Sequence, residues 1–261
     1  MTTGTLTIAG TGITLMSHLT KEAEVAIRDA ERLFFLVTSE LAEQWMLRLN
    51  GRGESLRPFY DAGGDRAAIY AAMSECALAA ARAGQRVCAA FYGHPSVFVT
   101  PTQLMVRAAR REGLAVRVLP GISAEDCLFA DLDLDPGQQG CQSYEASDFL
   151  LRPRRFDPHT PLVLWQIGVV GYFEVVRQRP DSGPALAALR QRLLHDYPPD
   201  HPVTVYLAPM LPIQTPTITC TTLADLLPAI LDPFCTLYIP PLGAPAIDQE
   251  LCAQLGVKLE A

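Results

Sequence analysis

In the first 120 residues, short apolar runs of strand length alternate with longer helical patterns. The runs are LTIAG, LFFLV, RVCAAFYG and AVRVLPG, and three of the four end directly on glycine or proline-glycine. Between them, KEAEVAIRDAERL follows Thr20 as a candidate N-cap, and Trp45 to about Leu49 forms a short second helix. RAAIYAAMSECALAAARA is framed by Asp65 as cap and Gly84 as terminator, and TQLMVRAARREG supplies a further helix. Strands that alternate with helices predict an open, mostly parallel α/β sheet, because each helix returns the chain to start another parallel strand.

After Pro120-Gly121 the texture changes. Residues 122–160 are rich in turn formers with short helical pieces, and PLVLWQIG, HPVTVYLA and CTLYIPP then read as strands of a second sheet. ALAALRQRLLHDY and LADLLPAIL read as the intervening helices. We therefore expect two α/β domains, residues 1–119 and 120–261, packed to frame a cleft. A hydrophobic content of 49% against 19% charged residues excludes a disordered chain. The net charge of −7 argues against a nucleic-acid partner. No apolar run reaches the length of a membrane-spanning helix, and the start MTTGTLTIAG does not read as a signal peptide. The seven cysteines are odd in number and form no C-x-x-C pair, which suits small buried side chains in a reducing cytoplasm.

Individual motifs are weak in isolation. Gly10-Thr11-Gly12 lacks the third small residue of a dinucleotide fingerprint, since Leu15 stands there, so a tight turn explains it. Asp131, Asp133 and Asp135 open like a calcium loop, but Pro136 and Gln142 hold the places that require Gly and Glu. The five histidines show no i, i+4 pair, and no metal site is expected. Arg152-Pro153-Arg154-Arg155 reads as a solvated turn. More chemistry resides in FYDAGGDRAAIY. Arg66 and Tyr70 share a helix face, and the Asp-Ala-Gly-Gly turn can fold Tyr60 back toward them. Two phenols and a guanidinium could polarise a carbonyl and handle a proton. Periodicity alone favours a half-buried Tyr70 and a surface Arg66.

Taken together, LTIAGTGI, FYDAGGDR, FYGHPSVFVTP, LPGISAEDCLFADL, GCQSYEASDFLLR and CTLYIPPLGAPAID resemble the catalytic domain of borosin α-N-methyltransferases. These enzymes form part of the tetrapyrrole-methylase-like superfamily, and the resemblance extends in order over nearly the whole chain. It implies a two-domain α/β fold, each domain a mixed sheet flanked by helices, with S-adenosylmethionine in the interdomain cleft and S-adenosylhomocysteine as product. It implies methylation of backbone amides in a ribosomally made precursor peptide by a cytoplasmic homodimer. By motif match, Tyr92, His94, Val97, Phe98, Ser123, Ala124, Gln166, Tyr206 and Leu207 would hold the cofactor. Catalysis would fall to Tyr60, Arg66 and Tyr70, with Tyr92 near the reacting centre.

Three departures shape the expectation. The first loop reads GTGITL where tetrapyrrole enzymes of the superfamily usually continue G-x-G-P-G-D. Arg57 stands where some borosin enzymes carry an additional aromatic. The chain ends at LGVKLEA, so the precursor is expected in trans, as in split borosin systems, with two enzyme and two precursor chains as one assembly. The alternatives are a small-molecule, tetrapyrrole or RNA methylase of the same superfamily, and a non-catalytic module that binds cofactor or peptide.

Overall fold

The computed structural model describes residues 4–173, 181–226 and 231–257. The chain divides into two compact units: Met1–Leu134 with Tyr172–Pro180 and Ala208–Thr217, and Asp135–Gly171 with Asp181–Leu207 and Ile218–Ala261. Each is built on a five-stranded sheet flanked by helices, the α/β organisation expected from the sequence.

In the first unit the order is β1 (Thr5–Gly10), α1 (Lys21–Asp29), β2 (Arg32–Leu36), α2 (Glu40–Leu49), β3 (Gly53–Ser55), α3 (Arg57–Ala62), α4 (Arg66–Arg82), β4 (Arg86–Phe91), α5 (Thr100–Arg111), β5 (Ala115–Leu119) and α6 (Ala124–Asp131). The strands lie in the order β3-β2-β4-β1-β5, and every pairing is parallel. Alternation along the strands sorts the core into two layers. Leu6, Ile8, Phe34, Val87 and Ala89 pack with Met73, Ala77 and Met105 of α4 and α5. Ala9, Leu33, Phe35, Cys88 and Ala90 pack with Ala23, Ile27 and Met46 of α1 and α2. Neighbouring strands β1 and β4 therefore send their following helices to opposite faces. That reversal makes a topological switch point at the carboxyl ends of the strands, the place where open α/β sheets bind ligands.

Caps mark the helix starts. Thr20 accepts from the Ala23 N–H at 3.1 Å and Asp65 from the Ala68 N–H at 2.8 Å, as the sequence predicts. Helix α2 begins at Glu40 rather than Trp45, because the Ser39 hydroxyl caps the Ala42 N–H and two acidic residues occupy its first turn. Arg57–Ala62, which run into the expected Asp-Ala-Gly-Gly turn, form the short helix α3, with Pro58 in its first turn and no buried residue.

The second unit runs α7 (Pro136–Gln139), β6 (Gln142–Glu145), α8 (Ala146–Leu151), β7 (Leu162–Trp165), a 3-10 turn (Ile167–Val169), α9 (Gly183–Leu193), β8 (Pro202–Leu207), β9 (Thr217–Thr222), β10 (Thr236–Ile239) and α10 (Gln249–Leu255). Its order is β6-β7-β10-β8-β9, with β6 parallel to β7 and β10 antiparallel to both β7 and β8. Phe149, Leu162, Leu164, Leu189, Leu193, Val203, Leu237 and Ile239 form its core. Strand β9 has no buried residue and was not foreseen, since TITCTT shows no apolar alternation. Of the helix expected over LADLLPAIL, Leu223–Asp225 form a turn, and residues 227–230 lie outside the described residues. No described helix is long and apolar enough to cross a membrane.

Candidate functional site

Three loops meet at the carboxyl ends of the adjacent strands β4, β1 and β5. The Gly12 N–H donates to the Gly93 carbonyl at 3.2 Å, and the Gly93 N–H returns a bond to the Gly12 carbonyl at 2.9 Å. Approach is so close that a Cβ on Gly10 would lie 2.5 Å from the Gly93 oxygen and 2.9 Å from the Gly121 Cα. A Cβ on Gly121 would also meet the Gly93 oxygen at 2.5 Å. Glycine at both positions is thus required by contact, beyond any need for a turn. The first loop is pinned further along. The Thr14 hydroxyl donates to the Pro209 carbonyl at 2.9 Å, and the Thr14 N–H donates to His18 Nδ1 at 3.1 Å. Burial holds the His18 imidazole below its usual range, with Asp131 acting weakly in the other direction.

The segment after β4 is shaped by backbone bonds. Tyr92 donates its N–H to the Leu36 carbonyl at 3.1 Å. His94 accepts the Ser96 N–H on Nδ1 at 3.0 Å, and its carbonyl accepts the Val97 N–H at 3.0 Å, so this histidine organises its own loop. Val97 and Phe98 are exposed, and Phe98 adopts a left-handed φ of 56°. That conformation is unfavourable for an aromatic residue and recurs at functional sites. After β5, Ser123 caps α6. Its hydroxyl and N–H both donate to the Asp126 carboxylate, at 2.7 and 2.6 Å, and its oxygen accepts the Asp126 N–H at 3.2 Å. Ala124 opens that helix.

In the second unit, Gln166, Tyr206 and Leu207 lie at one end of the sheet, since β7 and β8 both run antiparallel to β10. Gln166 has φ 61° and ψ 39°, left-handed for a non-glycine residue, just after the buried β7. Tyr206 is fully buried and pairs across the ladder with Thr236.

The other predicted group forms in the first unit. Gly63 and Gly64, both at positive φ, reverse the chain between α3 and α4. Tyr60 is thereby folded onto Tyr70. Their hydroxyls lie 3.3 Å apart, and the rings meet edge to face at 6.2 Å and 74°. Burial is the main reason that the Tyr60 phenol is held above the usual tyrosine range; the charge and hydrogen bond of Tyr70 add to it, and Arg66 opposes it. Arg66 is therefore close enough to be felt by Tyr60. The structure brings Tyr60, Arg66 and Tyr70 together, and places Tyr92 at the end of β4. Among the described residues, no group of three His, Cys, Asp or Glu could hold a metal ion.

Residues 5–208 match the family model described as Tetrapyrrole (Corrin/Porphyrin) Methylases. The chain belongs to this family. Among curated relatives of this chain are two proteins whose names join a methyltransferase to a ribosomally synthesized cyclic peptide precursor. The omphalotin A precursor protein of Omphalotus olearius is 40% identical over 256 residues, which is 97% of this chain and 61% of that protein. The type I borosin precursor protein of Serendipita vermifera subsp. bescii is 38% identical over 264 residues, 98% of this chain and 64% of that one. The chain thus spans under two thirds of these relatives' length. Of the solved structures, uroporphyrin-III-C-methyltransferase from Thermus thermophilus matches with a TM-score of 0.64 at 22% identity, covering 98% of both chains. The cobalt precorrin-4 methyltransferase CbiF matches with a TM-score of 0.62 at 16% identity over 90% of this chain and 94% of that one. Both carry the same fold.

Gly10 reads in the sequence as part of a tight turn, and its contact at the strand ends carries no motif signal. Gly10 and Gly121 touch the same carbonyl although 111 positions separate them, and only the strand order reveals it. His18 gave no motif signal. Its role as acceptor for the Thr14 N–H depends on a loop turning back on itself.

Proposed function

We propose that this chain is an S-adenosylmethionine-dependent methyltransferase acting on backbone amides of a ribosomally made peptide supplied as a separate chain. The observation that carries the reading is the Tyr60–Tyr70 hydroxyl pair beside Arg66. The strand-end loops suit the cofactor: close-packed glycine backbone at Gly10, Gly93 and Gly121, and the exposed apolar Val97 and Phe98. Tyr92, His94, Ser123 and Ala124 are the further binding residues proposed in the first unit, and Gln166, Tyr206 and Leu207 are those proposed in the second. When bound, S-adenosylmethionine supplies an electrophilic sulfonium methyl group.

An amide nitrogen is a poor nucleophile because its lone pair is delocalised into the carbonyl. The protein must therefore take the N–H proton and stabilise negative charge on the carbonyl oxygen. Tyr60, whose proton is held by burial and by Tyr70, acts as the donor to that oxygen, and Arg66 places positive charge beside it. Tyr70 would relay the amide proton, taking it on its oxygen as its own hydroxyl proton passes to solvent. The N–H bond and the sulfonium S–CH3 bond would break as the N–CH3 bond forms, and the donor would leave as the neutral thioether S-adenosylhomocysteine. Alignment of amide and donor in a site closed to water supplies much of the remaining acceleration.

The test is direct. The protein is mixed with S-adenosylmethionine and a separate peptide encoded by a neighbouring short reading frame, and the product is fragmented in a mass spectrometer. Methyl groups on backbone amides are expected. Methyl groups confined to side chains, or a peptide left unchanged, would overturn the reading.

A further inference from the structure

Helix α3 carries Tyr60 yet has little to hold it in place. None of its residues is buried, and its N-cap, Leu56, makes no side-chain capping bond. Phe59 and Tyr60 pack only partly against the core, although the Leu56 N–H donates to the Phe35 carbonyl at 2.8 Å. Arg57 adds a polar restraint at the start of the helix. Its Nε donates to Glu43 Oε1 at 2.7 Å, and its guanidinium also donates to the Val37 carbonyl at 3.2 Å. The same carboxylate oxygen accepts the Ser55 hydroxyl at 2.9 Å, while the Ser55 oxygen accepts the Arg57 N–H at 3.2 Å. Glu43 lies on α2, which packs on the opposite sheet face from α4. The closed set of bonds therefore reaches around the carboxyl end of β2 and ties the start of α3 to the far side of the sheet.

We propose that Arg57, locked by Glu43 and Ser55, is a positioning residue that sets the distance between the Tyr60 and Tyr70 hydroxyls. It stands one helical turn before Tyr60, so a rotation or slide of α3 that it prevents would carry the phenol with it. Two donors in a planar fork fix orientation as well as distance, which a single ammonium could not do. The part played by the Tyr60 position in catalysis rests on the proposed amide methylation; the lock itself does not.

A double-mutant cycle tests the proposal, with the intact protein, S-adenosylmethionine and the separate peptide. Arg57→Ala is expected to lower kcat about ten- to a hundredfold, the size of effect that follows a misplacement of order 1 Å. KM for S-adenosylmethionine should stay unchanged. Arg57→Lys should restore activity only in part, and Glu43→Gln, which keeps the side-chain shape, should reproduce most of the loss. In a Tyr60→Phe background, Arg57→Ala should have almost no further effect on kcat, because the group it positions is gone. Additive losses in that background would overturn the proposal. The ring resonances of Tyr60, identified by their disappearance in Tyr60→Phe, provide a readout independent of activity. They carry the ring-current signature of the edge-to-face contact with Tyr70 and are expected to move toward exposed-tyrosine values in both Arg57→Ala and Glu43→Gln. Unmoved resonances would sink the lock even where the enzyme methylates peptide. Shifted resonances in a protein that methylates no peptide would leave the lock standing and remove the proposed function.

Discussion

The Tyr60 and Tyr70 hydroxyls stand 3.3 Å apart across the turn that joins α3 to α4. With its phenol held above the usual range by burial and by Tyr70, Tyr60 keeps its proton through neutral pH, as the donor role we propose for it requires. Tyr60→Phe should lower the methylation rate about a hundred- to a thousandfold, as does loss of a single oxyanion donor. Steady-state kinetics check this, with the S-adenosylmethionine dissociation constant unchanged.

The same phenol leaves an alkaline signature. An unfolded tyrosine ionises near pH ~10, whereas folded Tyr60, Tyr197 and Tyr238 all ionise higher, each chiefly through burial. Above that pH the unfolded state holds fewer protons than the native state. The stability these tyrosines contribute is complete below pH ~10 and is lost as pH rises, by about 1.4 kcal/mol per pH unit for each group. Urea titrations should show a shallower alkaline decline for Tyr60→Phe than for the wild type.

At the strand ends, Gly10→Ala and Gly121→Ala each place a Cβ 2.5 Å from the Gly93 oxygen. Each should cost on the order of 2 kcal/mol by overpacking against backbone that has no side chain to move aside. Gly51→Ala, whose nearest new neighbour is the Leu47 oxygen at 3.9 Å, serves as the neutral control. Denaturant midpoints distinguish the two outcomes.

Gln166 provides the opposite experiment. Its left-handed backbone costs a non-glycine residue about 1 kcal/mol or more, a strain that glycine relieves. Gln166→Gly should therefore melt no lower than the wild type while binding S-adenosylmethionine more weakly. Loss of both stability and binding would assign Gln166 a structural role instead. Thermal melting and calorimetric titration measure the pair.

Thiol chemistry should follow burial. Burial pushes the Cys88 thiol up to about 12, and burial followed by the charges of Asp131 and Asp126 pushes Cys127 up to about 11. Cys220 is exposed on β9. A thiol reagent at mildly alkaline pH should label Cys220 first and reach Cys88 and Cys127 only on unfolding. Peptide mapping of the labelled protein resolves the order.

Much of the frame could be read from local chemistry. Thr20 and Asp65 announce their helices because a cap acts within three residues, and the strands of the first sheet are apolar because both faces are covered. Strand β9 escaped because an exposed edge has no face to alternate against the core. The Tyr60–Tyr70 contact could be suspected from the glycine turn, whereas the tie between Arg57 and Glu43 could not. Fourteen positions and a sheet edge separate those two side chains, and no periodicity links them.

The glycine contacts at the strand ends carry a kinetic corollary. Gly10, Gly93 and Gly121 belong to segments brought together only when β4 and β5 have both docked on β1. No local turn can assemble them, so loop closure over long stretches of chain must precede the switch point, and its formation belongs late in folding. A ligand seated there would meet no partly folded competitor. Its binding energy would oppose global unfolding of the first unit, so that saturating ligand would raise the unfolding midpoint.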